Sequence, residues 1–161
     1  MKTLIALLFT AVCYSQASIY IPANTTHYKD SKAYAEGQGG NKGFVLSFSD
    51  NKRVLSVGVI SNSYGDISRV IALGITRKIN NLEIIGSVGF ADGYEKAYQR
   101  IIVNNGKSYL NTTPMKMPKI LSNNGIMPVG LLSLKLPVKG CYGIQMNISP
   151  AYINTGIYLN L

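Results

Sequence analysis

The chain of 161 residues holds a single histidine, His27. An imidazole can drive acyl transfer when it deprotonates a hydroxyl while a third group orients it. Ser63 supplies a hydroxyl, Asn62 beside it an amide, and Asp66 a nearby carboxylate. A histidine, a serine and a carboxylate or amide form the one constellation here with catalytic potential. The same residues also fit ordinary solvated polarity, so their meaning depends on what brings them together. No metal site and no cofactor are expected.

The elements that must position them are strands. Met1, Lys2 and Thr3 precede an apolar run from Leu4 to Cys13 and a small-residue exit, Ser15-Gln16-Ala17. This pattern predicts a secretory signal peptide over residues 1–17. The run is shorter than the roughly 20 apolar residues a spanning helix needs. Val12 is too bulky for a lipoprotein site at Cys13. Cleavage after Ala17 leaves residues 18–161, one domain of 144 residues, with a net charge of +8 and Cys141 as its single cysteine. No intramolecular disulfide can form, so burial or a closed sheet must hold the fold.

Period-2 patterning dominates what remains. It predicts strands over Ile19–Tyr28, Gly43–Ser49, Arg53–Ser61, Ser68–Ile79, Leu82–Ala91, Ile126–Leu136, Cys141–Ser149 and Asn154–Leu161. Tight turns are expected at Asp50-Asn51-Lys52, at Asn80-Asn81 and at Pro137-Val138-Lys139-Gly140. The remaining connections are longer, chief among them Asp92–Gly125, whose segment from Gly106 reads as a mobile basic loop. In a meander, alternate connections fall at opposite ends, so all the tight turns share one end. That asymmetry predicts an all-β, eight-stranded antiparallel up-and-down barrel, transmembrane in the outer membrane. It also places His27 and Ser63 at the same rim.

Both faces of several strands are apolar. A lipid-facing belt accounts for one. The other fits a packed core or an acyl-chain cavity, with Gly58, Gly74 and Gly86 leaving room; strand crowding explains the same glycines. Pro128 and Pro137 bracket the sixth strand. Because proline cannot donate to a ladder, each can mark a gap for lipid entry or simply a strand end. The absence of tryptophan and a lysine within a strand, Lys135, fit a soluble barrel or sandwich instead. Nucleic acid is a poor partner for an exported chain. The available anionic partners are phospholipid headgroups and lipopolysaccharide phosphates.

Tyr20-Ile21-Pro22-Ala23, followed by Thr25 and His27, resembles the segment opening the first strand of PagP-type lipid A palmitoyltransferases. Gly39-Gly40, Gly43-Phe44, Asn62-Ser63, Ala72-Leu73-Gly74, Gln145-Met146, Pro150 and Tyr152 extend the resemblance thinly along the chain. The resemblance implies an outer-membrane barrel that transfers a palmitoyl chain from a phospholipid to lipid A. It implies catalytic roles for His27 and Ser63, with Asn62 where the family has a carboxylate. The family's N-terminal amphipathic helix is absent. The competing expectation is a non-catalytic barrel of this fold, of bacterial or phage origin, that binds lipid or an envelope protein.

Overall fold

A computed structural model describes residues 16–27, 42–50, 52–62, 66–99, 101–104, 106–110, 116, 118–150 and 152–161. Residues 1–15, which fall within the expected signal peptide, residues 28–41 and Ser63 lie outside these. Among the described residues ten strands form: β1 (Gln16–His27), β2 (Gly43–Ser49), β3 (Arg53–Ser61), β4 (Ile67–Ile79), β5 (Leu82–Ala91), β6 (Ile101–Asn104), β7 (Lys107–Leu110), β8 (Met127–Lys139), β9 (Tyr142–Ile148) and β10 (Tyr152–Asn160). Two helical turns, α1 (Glu95–Tyr98) and α2 (Lys119–Ser122), lie between β5 and β8.

Eight strands close into an antiparallel barrel in the order β1-β10-β9-β8-β5-β4-β3-β2, and β6 and β7 form a separate hairpin. The seam is the β1–β10 ladder, from Ser18 opposite Asn160 to His27 opposite Tyr152. Its register shifts between Pro22 and Asn24. Proline is tolerated at such a bulge because no ladder hydrogen bond is required of it.

The turn end is built by local chemistry. Asp50 Oδ1 accepts the backbone N–H of Lys52 at 2.8 Å and of Arg53 at 2.6 Å. A short polar side chain thereby substitutes for backbone partners in reversing the chain. Asn80 takes φ 53° and Gly140 φ 58°. Both are residue types that tolerate the left-handed region, and both stand at the hairpin turns that demand it.

The structure redraws several boundaries, and β1 begins at Gln16 rather than Ile19. β8 runs on through Pro137, which pairs with Gly143, and a register shift between Pro137 and Lys139 absorbs Val138. The turn therefore sits later, at Gly140-Cys141. β10 begins at Tyr152 rather than Asn154, and β4 at Ile67. The stretch expected as a mobile loop contains β7 and α2, because β6 and β7 pair from Ile101–Leu110 to Asn104–Lys107. Four-residue strands give too short a pattern to be read by periodicity.

Alternation then sorts the two faces. Outside, Leu73, Ile75, Val88, Phe90, Ile144 and Ile157 each leave more than half of their surface uncovered. Contiguous apolar exposure on this scale is the lipid-facing belt of a membrane-spanning barrel. Inside, Tyr20, Val54, Ala72, Ile85 and Tyr158 are buried. Lys135, a discordant residue for a membrane strand in the sequence, is 5% exposed. Its parity points it into the lumen with Ser133, away from lipid.

Candidate functional site

The lumen is divided lengthwise. A cavity of about 100 Å³ runs through it. On the β2–β5 side and upper β8 its wall mixes apolar Val45, Ile60, Val70, Ala72, Ile85 and Leu131 with the hydroxyls of Ser47, Ser56 and Ser87. On the β8–β9–β10–β1 side the wall is polar. There Ser133 stands opposite Asn147 and Lys135 opposite Gln145 across β8–β9. Asn154 pairs in register with Asn147 on one flank and with Thr25 on the other.

These polar groups are wired together. Tyr20 donates its hydroxyl hydrogen to Asn154 Oδ1. Asn154 Nδ2 donates to Thr25 Oγ1 at 2.6 Å and to the Asn24 carbonyl at 3.1 Å. Gln145 Nε2 donates to Asn147 Oδ1 at 2.7 Å. Lys135 Nζ donates to Ser18 Oγ at 2.9 Å and stands 5.2 Å from the centre of the Tyr158 ring. Gln145 Oε1 is buried and accepts no hydrogen bond in the structure.

The glycines fall into distinct roles. A Cβ at Gly58 would meet Val45 Cα at 2.8 Å, and one at Gly74 would meet Ser87 Cβ at 2.9 Å. Both glycines permit close approach of neighbouring strands, on the lumen-side parity of Ser56 and Ala72. Gly86 lies between the lumen-facing Ile85 and Ser87, so it faces outward, where a Cβ would meet nothing within 4 Å. Of the three, Gly86 is the one whose parity turns it away from the lumen. The glycines that do make room are Gly143 and Gly156. A Cβ on the first would collide with the Tyr158 ring at 2.6 Å, and one on the second with the Tyr20 ring at 2.7 Å. The space they leave is filled by tyrosine, not left for lipid.

Pro128 and Pro137 also separate. Pro137 lies in the β8–β9 ladder near the turn end. Pro128 lies in the part of β8 that outruns its neighbour. The β8–β9 ladder begins at Leu132–Ile148, whereas the β5–β8 ladder continues up to Ala91–Met127. Among the described residues, Met127–Leu131 therefore have no β9 partner. The wall is notched there, beside cavity-lining Val129 and Leu131.

At the loop-end rim, His27 and Tyr152 close the seam, with ring centroids 6.0 Å apart and planes tilted by 58°. Asn62 is 2% exposed and lines the same cavity as Thr25. Its Nδ2 donates to Ser68 Oγ at 3.0 Å and to the Gly93 carbonyl at 2.6 Å. Its Oδ1 accepts the Asp66 N–H at 3.1 Å. Both of its amide hydrogens are thus engaged in holding the β3–β4 loop against the chain leaving β5. Lys135, Gln145, Asn147 and Asn154 escaped the functional reading of the sequence. Their signal was a polar residue at every second place in strands otherwise apolar.

No protein-family model matches the chain, and no curated protein does. Among solved structures, the chain is similar to a transmembrane β-barrel designed de novo, with a TM-score of 0.59 and 13% identity over 92% of this chain and 97% of that one. It is also similar to the outer membrane protein Ail of Yersinia pestis, solved in a phospholipid bilayer nanodisc, with a TM-score of 0.49 and 10% identity over 91% and 99% of the two chains. The fold is that of a transmembrane eight-stranded barrel.

Proposed function

We propose that this chain is an outer-membrane barrel that admits an acyl chain of a membrane lipid into its lumen, and that it transfers a palmitoyl chain from a phospholipid to lipid A. What supports the reading is that Met127–Leu131 have no β9 ladder partner among the described residues, beside cavity-lining Val129 and Leu131; a lipid tail would enter there. A lipid tail needs an apolar slot reachable from the membrane without crossing the polar rim. The wall of Val45, Ile60, Val70, Ala72 and Ile85 supplies the slot. His27, at the rim of the same end, is the candidate general base, and Ser63, outside the described residues, is its candidate hydroxyl partner.

A non-catalytic lipid-binding barrel is the second reading, and Asn62 favours it. In the acyltransferase resemblance this position carries the group that orients the histidine. Here its amide hydrogens are committed to Ser68 and Gly93, and an amide cannot stabilise an imidazolium by charge.

Mass spectrometry of lipid A from a Gram-negative host expressing the protein tests the choice, beside a His27→Ala, Ser63→Ala variant confirmed in the outer membrane. A palmitoyl chain added only by the unaltered protein supports transfer. Unchanged lipid A leaves the lipid-binding reading.

A further inference from the structure

The first strand begins with residues that the expected signal peptide would carry away. Two stretches there meet the small-residue rule for a leader exit. Ser15-Gln16-Ala17 puts the cut before Ser18, and Cys13-Tyr14-Ser15 puts it before Gln16. The two exits differ only in the fate of Gln16 and Ala17, and β1 uses both residues. Gln16 pairs with Ser49 and Ala17 with Phe48 across β1–β2. On the seam side, the Ala17 carbonyl accepts the Leu161 N–H at 2.9 Å. A cut before Ser18 removes that acceptor and both rungs. It also makes a charge inside the wall. Ser18 is 7% exposed, and its Oγ accepts from Lys135 Nζ at 2.9 Å. An α-ammonium on Ser18 would stand beside the ammonium that its own side chain holds. Glu83 faces Lys135 from β5 and Lys78 faces Glu83 from β4, so two cations already share that carboxylate. Leu161, beyond Ala17, is exposed and brings no buried counter-charge. A third cation here is stripped of water without gaining a partner.

We propose that the leader is removed at the Ser15–Gln16 bond, so that the mature barrel begins at Gln16 and not at Ser18. Water adds across that bond: its hydroxyl completes the Ser15 carboxyl, and its hydrogen the Gln16 amine. The new ammonium is then carried by Gln16, an exposed residue at the hairpin-turn end, where water solvates it. Ala17 keeps its pairing with Phe48 and its bond to Leu161. Ser18 keeps an uncharged peptide N–H beside Lys135. This processing presupposes the signal peptide and is independent of acyl transfer at the rim.

The test expresses the full precursor in a Gram-negative host, isolates the barrel from the outer membrane, and reads its intact mass and N-terminal peptide by mass spectrometry. A chain beginning at Gln16 is expected, either with a free amine or cyclised on its own side-chain amide with loss of ammonia. A chain beginning at Ser18 overturns the proposal and leaves the signal peptide standing. A chain that still begins at Met1 overturns both. Variants separate the two exits, because a bulky residue just before the cut blocks it. Ala17 has the outward parity of Ile21, so leucine suits its place in the fold. Ala17→Leu is expected to be fully processed, again at Gln16, whereas Ser15→Leu accumulates as the precursor. Accumulation of the Ala17→Leu precursor, or normal processing of Ser15→Leu, overturns the proposal as well.

Discussion

Tyr20 on β1 donates its hydroxyl hydrogen to Asn154 on β10, across the seam that closes the barrel. The two residues come from opposite ends of the chain, and each is at least nine-tenths buried. Asn154 Nδ2 is spent on Thr25 and the Asn24 carbonyl, so its Oδ1 relies on Tyr20 for this bond. Tyr20→Phe keeps the ring over Gly156 and deletes only the donor. It is expected to cost about 1–3 kcal/mol, read as a lowered urea midpoint in lipid vesicles with an unchanged slope.

Asn62 is expected to behave as a loop clamp. Asn62→Asp restores the carboxylate of the resembled family but removes both hydrogens donated to Ser68 and Gly93. It is expected to lower stability by about 1–3 kcal/mol without raising acyl addition to lipid A. A gain of tenfold or more in acyl addition would show that the position acts on His27 after all.

If the rim performs acyl transfer, His27→Ala is expected to slow it by about 10²–10⁴, the usual worth of a general base. Barrel content, followed by heat-modifiable gel mobility, is expected not to change. A variant that loses the barrel along with activity would place His27 in the fold of the seam rather than in the chemistry.

The outer belt is open to a direct test at Leu73, in the middle of β4 and 57% exposed. Leu73→Arg puts a guanidinium into the hydrocarbon and is expected to cost about 2–4 kcal/mol in a bilayer. An exterior that tolerates this arginine without measurable cost in vesicles would mean that water, not lipid, covers it.

The β2–β3 turn carries a pH signature. The backbone N–H groups of Lys52 and Arg53, with the Arg53 side chain adding to them, hold the Asp50 carboxyl below its ordinary value of 3.8. A depressed folded value means that the contribution is present above the unfolded value and disappears as pH falls through the folded one. Asp50→Asn is therefore expected to flatten the stability profile below about pH 4, while leaving its shape near neutrality unchanged.

The sequence by itself determined the wall of this protein. Runs rich in β-branched and apolar residues such as Ser68–Ile79, and turn residues such as Asp50, Asn80 and Gly140, specify hairpins through contacts between near neighbours. The placement of tight turns at one end then implies the meander, and His27 at the rim follows from counting strands. The lumen was decided only by tertiary structure. Whether Gly58 faces a cavity or a neighbouring backbone depends on Val45 across the ladder. Whether Gly86 looks inward depends on which parity of β5 closes on the axis. The seam that joins Tyr20 to Asn154, the notch where β8 outruns β9, and the meeting of Lys135 with Gln145 are cross-strand facts. They arise from register and closure, which pair residues that no local pattern relates.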